Sequence, residues 1–369
     1  MLAALDAEPG GQDPEPRTPN TNRAASTRKR EWFPVLYNLS VSIVTSAPTR
    51  IDLAGGTIDI WPLYLFHPGA QTLNAAISIR ARARIDARTD DRIVIRSEDT
   101  GATVEAGHWS ELREQRDLRL LSLAAHFFEA RGVTLTTTSE SPAGAGIAGS
   151  SALNVAVCAA FAEWQRTHFE PEALLQVAMN IEAQAINVPT GLQDYRPAMY
   201  GGIAALELEV DGVRRVPLSV DPGELERRIV LCYTGEPRNS GTNNWEITKR
   251  HIDGDRHIFD CFERIRDTAA VMRTALLAGD WDGVGRAIAE EWDNRKRLAP
   301  GVTTPGIDGL IARAMAAGAT AAKVCGAGGG GCLFCYGPPE RRDTIRDALA
   351  AGGARILEYQ IERHGLTGG

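Results

Sequence analysis

The stretch SPAGAGIAGSSALNVAVCAAF, residues 141–161, sets Gly144, Gly146, Gly149 and the pair Ser150-Ser151 directly before an apolar, alanine-rich run. Glycine adopts positive φ without steric cost and lets a ligand come close to the main chain. A helix begins with unpaired N–H groups and the positive end of its dipole. Glycines running into a helix start therefore suit a phosphate. Ser150 and Ser151 can cap that helix, and either hydroxyl can instead ligate Mg2+. Taken alone, the stretch also reads as a flexible loop with a serine cap, since it is neither G-x-x-x-x-G-K-[ST] nor G-x-G-x-x-G.

Its surroundings indicate a mixed fold. The segment VTLTTTS (133–139) reads as a strand, and helical patterns cover about 150–166 and 171–186. Upstream, Ile77, Ile79, Ala81, Ala83 and Ile85 alternate with Ser78, Arg80, Arg82 and Arg84, the period of a strand with one wet face. A shorter strand is expected at Val41–Thr45, and a helix over Leu118–Arg131. Downstream, a strand pair over 202–217 carries the hairpin dipeptide Asp211-Gly212. A strand at 229–234, helices over 256–278, 281–298 and 305–317, and a strand, loop, strand, helix, strand run to about 362 follow. Interleaved helices and antiparallel strands predict an α+β chain.

A length of 369 residues with 43% hydrophobic content predicts two domains. Residues 1–38, rich in Pro, Gly, Arg and acidic residues, are expected to form a disordered tail. Asp221-Pro222-Gly223 marks the boundary between domains at 39–220 and 221–369.

The net charge of −7 argues against a protein that neutralises nucleic-acid phosphates, so the expected partner is a small molecule. No apolar run suggests a membrane span and no secretion signal is evident, which leaves a cytoplasmic expectation. Six scattered cysteines suit reduced thiols; Cys332 and Cys335 form C-x-x-C, but no second pair or histidine cluster completes a tetrahedral metal site.

Three segments in order change the reading of the glycine stretch: SAPTRIDLAGGTID (46–59), PAGAGIAGSSA (142–152) and KVCGAGGGGCLFCY (323–336). Together they resemble the three motifs of the GHMP kinase superfamily, with the resemblance extending over about 41–362. AGGTID, GLQDYRPAMYGG (191–202) and LCYTGEPRNS (231–240) look most like sugar kinases of the D-glycero-D-manno-heptose 7-phosphate kinase type. That resemblance implies an N-terminal domain like the second domain of ribosomal protein S5 and a ferredoxin-like C-terminal domain, with ATP and substrate meeting between them.

It also implies roles. Pro142, Gly144, Ala145, Gly146, Ile147, Ala148, Gly149, Ser150 and Ser151 would form the ATP phosphate loop. Glu182 and a serine, Ser150 by the better spacing or else Ser151, would hold Mg2+. Asp194 would sit against the reacting hydroxyl with Arg50 beside it. Asp59, assisted by Thr57, would accept hydrogen bonds from substrate hydroxyls, which a carboxylate does several at a time. Gln193, Gly328 and Gly329 are further substrate-side candidates, and Tyr233, Arg238 and Ser240 could meet an anionic substrate group. Gly326–Gly331 resemble the glycine motif that packs against the phosphate loop.

The expected reaction is phosphoryl transfer from ATP, with Mg2+, to a hydroxyl of a sugar or sugar phosphate. A kinase for another small alcohol such as mevalonate or an amino-acid hydroxyl, and a non-catalytic nucleotide-binding protein, stay open, as does a homodimer. A dinucleotide-dependent oxidoreductase ranks last, because it needs a second strand with an acidic residue about 20 positions after the glycines, and at Glu170 and Glu172 a helix is read instead.

Overall fold

The fold is that of a computed structural model, which describes residues 42–237 and 240–368, with residues 240–243 described by backbone only. The expected tail (1–38) and the candidate Arg238 lie outside the described residues, as does the side chain of Ser240.

A first antiparallel sheet opens with β1 (Ser42–Ala54) and β2 (Gln71–Ala87), paired along most of their length. The expected strand at 41–45 is therefore much longer, and it carries the first motif as far as Ala54, with residues 55–59 in the turn that follows. Along β2 the predicted alternation holds: Ile79, Ala81, Ala83 and Ile85 are buried while Arg82 and Arg84 face solvent. A hairpin of β3 (Ile93–Ser97) and β4 (Thr103–Ala106), absent from the expectation, joins through β5 (Val133–Ser139), which runs parallel to β3 and antiparallel to β2. The other end of β2 pairs with β6 (Ile203–Glu209), whose hairpin partner is β7 (Gly212–Pro217). The expected hairpin forms, but Glu209 faces Gly212, so the turn residues are Val210 and Asp211, one position ahead of the Asp-Gly pair.

One face of this sheet is covered by α1 (Arg119–Phe127), α2 (Gly149–Trp164), α3 (Pro171–Ile186) and the short α4 (Tyr195–Tyr200). α2 is apolar nearly all round, which fits its place between sheet and helices. α1 ends at Phe127, short of the predicted Arg131.

After α5 (Pro222–Arg228), where Asp221 caps the helix by accepting from the Gly223 amide at 2.9 Å, β8 (Ile229–Tyr233) starts a second sheet. Its order is completed by β9 (Ala321–Val324), β10 (Cys332–Tyr336) and β11 (Arg355–Ile356), all antiparallel. The helices here are α6 (Ser240–Ile252), α7 (Arg256–Ala278), α8 (Trp281–Lys296), α9 (Pro305–Ala316) and α10 (Arg342–Ala351). β12 (Thr367–Gly368) then pairs with β1, so the chain returns to the first sheet. One apolar cluster spans both halves, from Ile51, Leu73 and Ile147 to Met272, Leu231 and Phe334, and it places the three motifs side by side.

Candidate active site

The loop between β5 and α2 has the backbone its glycines predict. Gly144 and Gly146 take φ of 66° and 78°, and Ala148 at 62° is left-handed without glycine's freedom. At Gly149 a Cβ would stand 2.7 Å from the Ser141 hydroxyl, so a larger residue has no room there. α2 begins at Gly149, so the first amides of its opening turn have no intrahelical acceptor.

β1 is fastened to this loop by Arg50. Its amide donates to the Ile147 carbonyl at 3.0 Å, and Nη1 donates to the Gly146 carbonyl at 2.9 Å. Nε donates to Asp194 Oδ1 at 3.1 Å and Nη2 to the same oxygen. Arg50 is almost wholly buried. Burial by itself would weaken its hold on the proton, but Asp194 and Asp52 outweigh it and raise its pKa. Asp194, at the head of α4, is 20% exposed and so the open end of this pair.

On the other side of α2's first turn, Ser150 Oγ donates to Glu182 Oε1 at 2.6 Å and Tyr195 Oη to Glu182 Oε2 at 2.7 Å. Burial pushes the Glu182 carboxyl up, while the hydroxyls of Ser150, Tyr195 and Ser151 pull it back. Ser150 and Glu182 form a hard-oxygen pair of the kind Mg2+ takes, with the phosphate loop beside it.

Asp59 follows a turn in which Thr57 has φ 72°, an uncommon conformation for a β-branched residue and one typical of functional segments. Its Oδ2 accepts from the Gln193 amide at 2.9 Å, whereas buried Oδ1 has no hydrogen-bond partner among the described residues, and neither has Gln193 Oε1. Burial, then the charge of Asp194, raises the Asp59 carboxyl to about 6. Two buried acceptors without donors, beside Asp194, are what a polyol would fill.

The third motif closes the loop from below. A Cβ on Gly331 (φ 83°) would lie 2.6 Å from the Ala145 carbonyl oxygen, and the Cys332 amide donates to that oxygen at 2.6 Å. Gly328 and Gly329 instead sit against the Val302 main chain, where the Gly329 amide donates to Val302 O at 2.8 Å. Tyr233 lies at the end of β8 with Arg355 over its ring. The thiols of Cys332 and Cys335 are buried within β10.

Two family models cover the parts that build this site: GHMP kinases N terminal domain over residues 118–202 and GHMP kinases C terminal over 272–355. The chain belongs to the GHMP kinases. It is 27% identical to a D-glycero-alpha-D-manno-heptose 7-phosphate kinase of Campylobacter jejuni, over 88% of this chain and 98% of that one. A mevalonate kinase of Thermococcus sibiricus is 25% identical over 88% and 97%. Among solved structures, a D-glycero-D-manno-heptose 1-phosphate kinase of Bacteroides thetaiotaomicron superposes with a TM-score of 0.72 at 26% identity, covering 89% and 99%. The α+β architecture is thus that of GHMP kinases, and the enzyme class is phosphotransfer to a hydroxyl group.

A group of charged residues in this GHMP kinase escaped the sequence reading. Asp52 is fully buried; burial alone would raise its carboxyl, but Lys323, Arg50 and Arg295 with the Gly326 amide draw it down to about 2. Its signal was a charge between Ile51 and Leu53 in a strand of buried residues, as Lys323 is between Ala322 and Val324. No helix among the described residues is long and apolar enough to cross a membrane.

Proposed function

We propose that this protein transfers the γ-phosphoryl group of ATP to a hydroxyl of a sugar or sugar phosphate, with Mg2+. The observation that carries the reading is the Arg50 fork, which ties the phosphate-loop carbonyl of Gly146 and the carboxylate of Asp194 into one unit. Donor phosphates and acceptor hydroxyl are thereby set next to each other, and phosphoryl transfer depends mostly on such positioning and on charge.

The amides around 144–151 bind the β- and γ-phosphates, and Ser150 with Glu182 holds the Mg2+, which neutralises phosphate charge when bound. Asp194 accepts a hydrogen bond from the acceptor hydroxyl and aims it. That oxygen bonds to the γ-phosphorus as the bond to the ADP oxygen breaks, and its proton passes to Asp194. A loose transition state asks for little early proton removal, so a carboxylate suffices. Arg50, beside both groups, stabilises charge on the group in flight. Asp59 and Gln193 receive further hydroxyls, which favours a polyol over a carboxylate-bearing alcohol, whose charge Asp59 would repel.

ADP release measured with heptose 7-phosphate, fucose, galactose and mevalonate tests this. Turnover of a sugar or sugar phosphate is expected. Nucleotide retained without turnover on any of them would instead make the chain a nucleotide-binding protein.

A further inference from the structure

Behind the site, away from the reacting groups, lies a cluster of ionised side chains that no part of the proposed chemistry uses. Asp52 on β1, Glu291 and Arg295 on α8 and Lys323 on β9 join Arg50, and each is at most 2% exposed. Lys323 Nζ stands 3.3 Å from Asp52 Oδ2 and 3.0 Å from Glu291 Oε2; Arg295 Nη1 stands 3.5 Å from Glu291 and 3.9 Å from Asp52. Stripping water from so many charges costs several kcal/mol for each, and apolar residues of similar volume often hold a fold as well or better. Stability alone is therefore a poor reason for such a cluster.

Its geometry offers a better one. Asp52 Oδ1 accepts from the Gly326 amide at 2.9 Å and faces Arg50 Nη1 at 3.5 Å. Along one arm, Arg50 goes on to the Gly146 carbonyl and to Asp194. Along the other, Gly326 opens the glycine segment whose Gly331 supports the main chain of Gly144 and Ala145. Arg295 donates to the Gly326 carbonyl and fills the space beside Gly56, at the turn that leads to Thr57 and Asp59. Lys323 also donates to the Leu53 carbonyl at 3.3 Å.

We infer that Asp52 is a positioning residue: its buried carboxylate, fixed by Lys323 and Arg295, sets both the aim of Arg50 at Asp194 and the seat of the phosphate loop on the third motif. This rests on the kinase reading above for its effect on rate, but not for its effect on geometry. Arg50 has two anionic neighbours, and Asp52 is the one that holds it from behind. Without that charge, Asp194 is the one anion left on the guanidinium, with the neutral Gly146 carbonyl as its other partner, beside two cations that have lost a counter-charge.

The test is Asp52→Asn, which keeps the volume and an acceptor for the Gly326 amide but removes the charge. A displacement near 1 Å costs roughly 100-fold in rate. We therefore expect kcat per nucleotide-binding site to fall by about 10- to 100-fold, with KM for ATP and sugar little changed. A crystal structure of the variant should show the Arg50 guanidinium displaced from its place beside Asp52 and Gly146 and drawn toward Asp194. If only the melting temperature drops while kcat per site and the Arg50 contacts persist, the cluster is merely structural and the inference is wrong. Should the Asn variant not fold, Arg295→Lys, which keeps the charge but loses the Nη2 bond to the Gly326 carbonyl, is judged by the same criteria. A wild-type enzyme without turnover would sink the kinase reading, and the crystal structure would then decide the positioning role by itself.

Discussion

Asp59→Asn should make the protein more stable at neutral pH and worse at binding its acceptor. Asp59 Oδ1 is buried without a hydrogen-bond partner among the described residues, and burial lifts the carboxyl from its usual 3.8 to about 6. The unfolded chain gives up this proton near pH 4, whereas the folded chain holds it until about pH 6. Stability therefore falls as pH rises through that window, and above it the loss is complete. At 1.36 kcal/mol per pH unit the gap amounts to about 3 kcal/mol.

Asparagine carries no such proton. Its oxygen can still accept from the Gln193 amide, although its NH2 group then occupies the unpartnered position at a cost of about 1 kcal/mol. The net gain expected at pH 8 is about 2 kcal/mol. The change in the variant's advantage between pH 4 and pH 8 cancels the fit of the amide and should be about 2 kcal/mol, because the unfolded carboxyl is already partly ionised at pH 4. Urea denaturation of both proteins at pH 4, 5, 6, 7 and 8 measures it. A difference that does not vary with pH, or a wild type that gains on the variant as pH rises, would show that the ionised carboxylate is already satisfied in the folded state. The same substitution should raise KM for the sugar about tenfold or more, the worth of one or two hydrogen bonds to a charged group, and leave KM for ATP near its parent value.

Three further outcomes follow from the same geometry. Asp194→Asn should lower kcat by about 100-fold or more with ATP affinity nearly unchanged, as read by steady-state kinetics beside nucleotide titration. Gly331→Ala puts a Cβ 2.6 Å from the Ala145 carbonyl at a φ of 83°, so nucleotide affinity should drop sharply in a titration and stability should fall by about 2 kcal/mol in a urea melt. His251, pushed down to about 4 by burial and then by His67, stays neutral in the fold while the unfolded chain takes its proton near 6.5, so the stability it contributes above that pH is lost as pH falls toward 4. His251→Phe should therefore narrow the gap between melting temperatures at pH 7 and pH 5.

The parts of this molecule legible in its sequence are those whose signal is local. The alternation at Ile79–Ile85 follows from a strand with one buried face, and α7, α8 and α9 follow from helical periods close to their observed bounds. Arg50, Ser150, Glu182 and Asp194 stand out only through the resemblance to the family's motifs, and the structure brings all four to the phosphate loop. What escaped depends on pairing between distant positions. The β3–β4 hairpin is too short to show a period, and β12 meets β1 through only two residue pairs more than 300 positions away. Tyr195, which donates to Glu182, looks in sequence like any buried aromatic beside a helix start.

The glycines of the second and third motifs are required for different physical reasons. Gly144 and Gly146 give the phosphate loop its left-handed turns and leave its amides open to a ligand, whereas Gly331 lets a second stretch of main chain lie against the back of that loop. A loop this bare has little side-chain packing of its own, so its shape must be imposed from outside. Arg50 imposes it at the carbonyls of Gly146 and Ile147, and the amide of Cys332 does so at Ala145. The left-handed Ala148 sits immediately past these restraints, at the helix start, where about 1 kcal/mol of backbone strain is tolerable only because its neighbours are pinned. Rigidity in the phosphate loop is thus a property of β1 and of the third motif, and that is why changes at Arg50, Asp52 or Gly331 should act on a loop whose own sequence is intact.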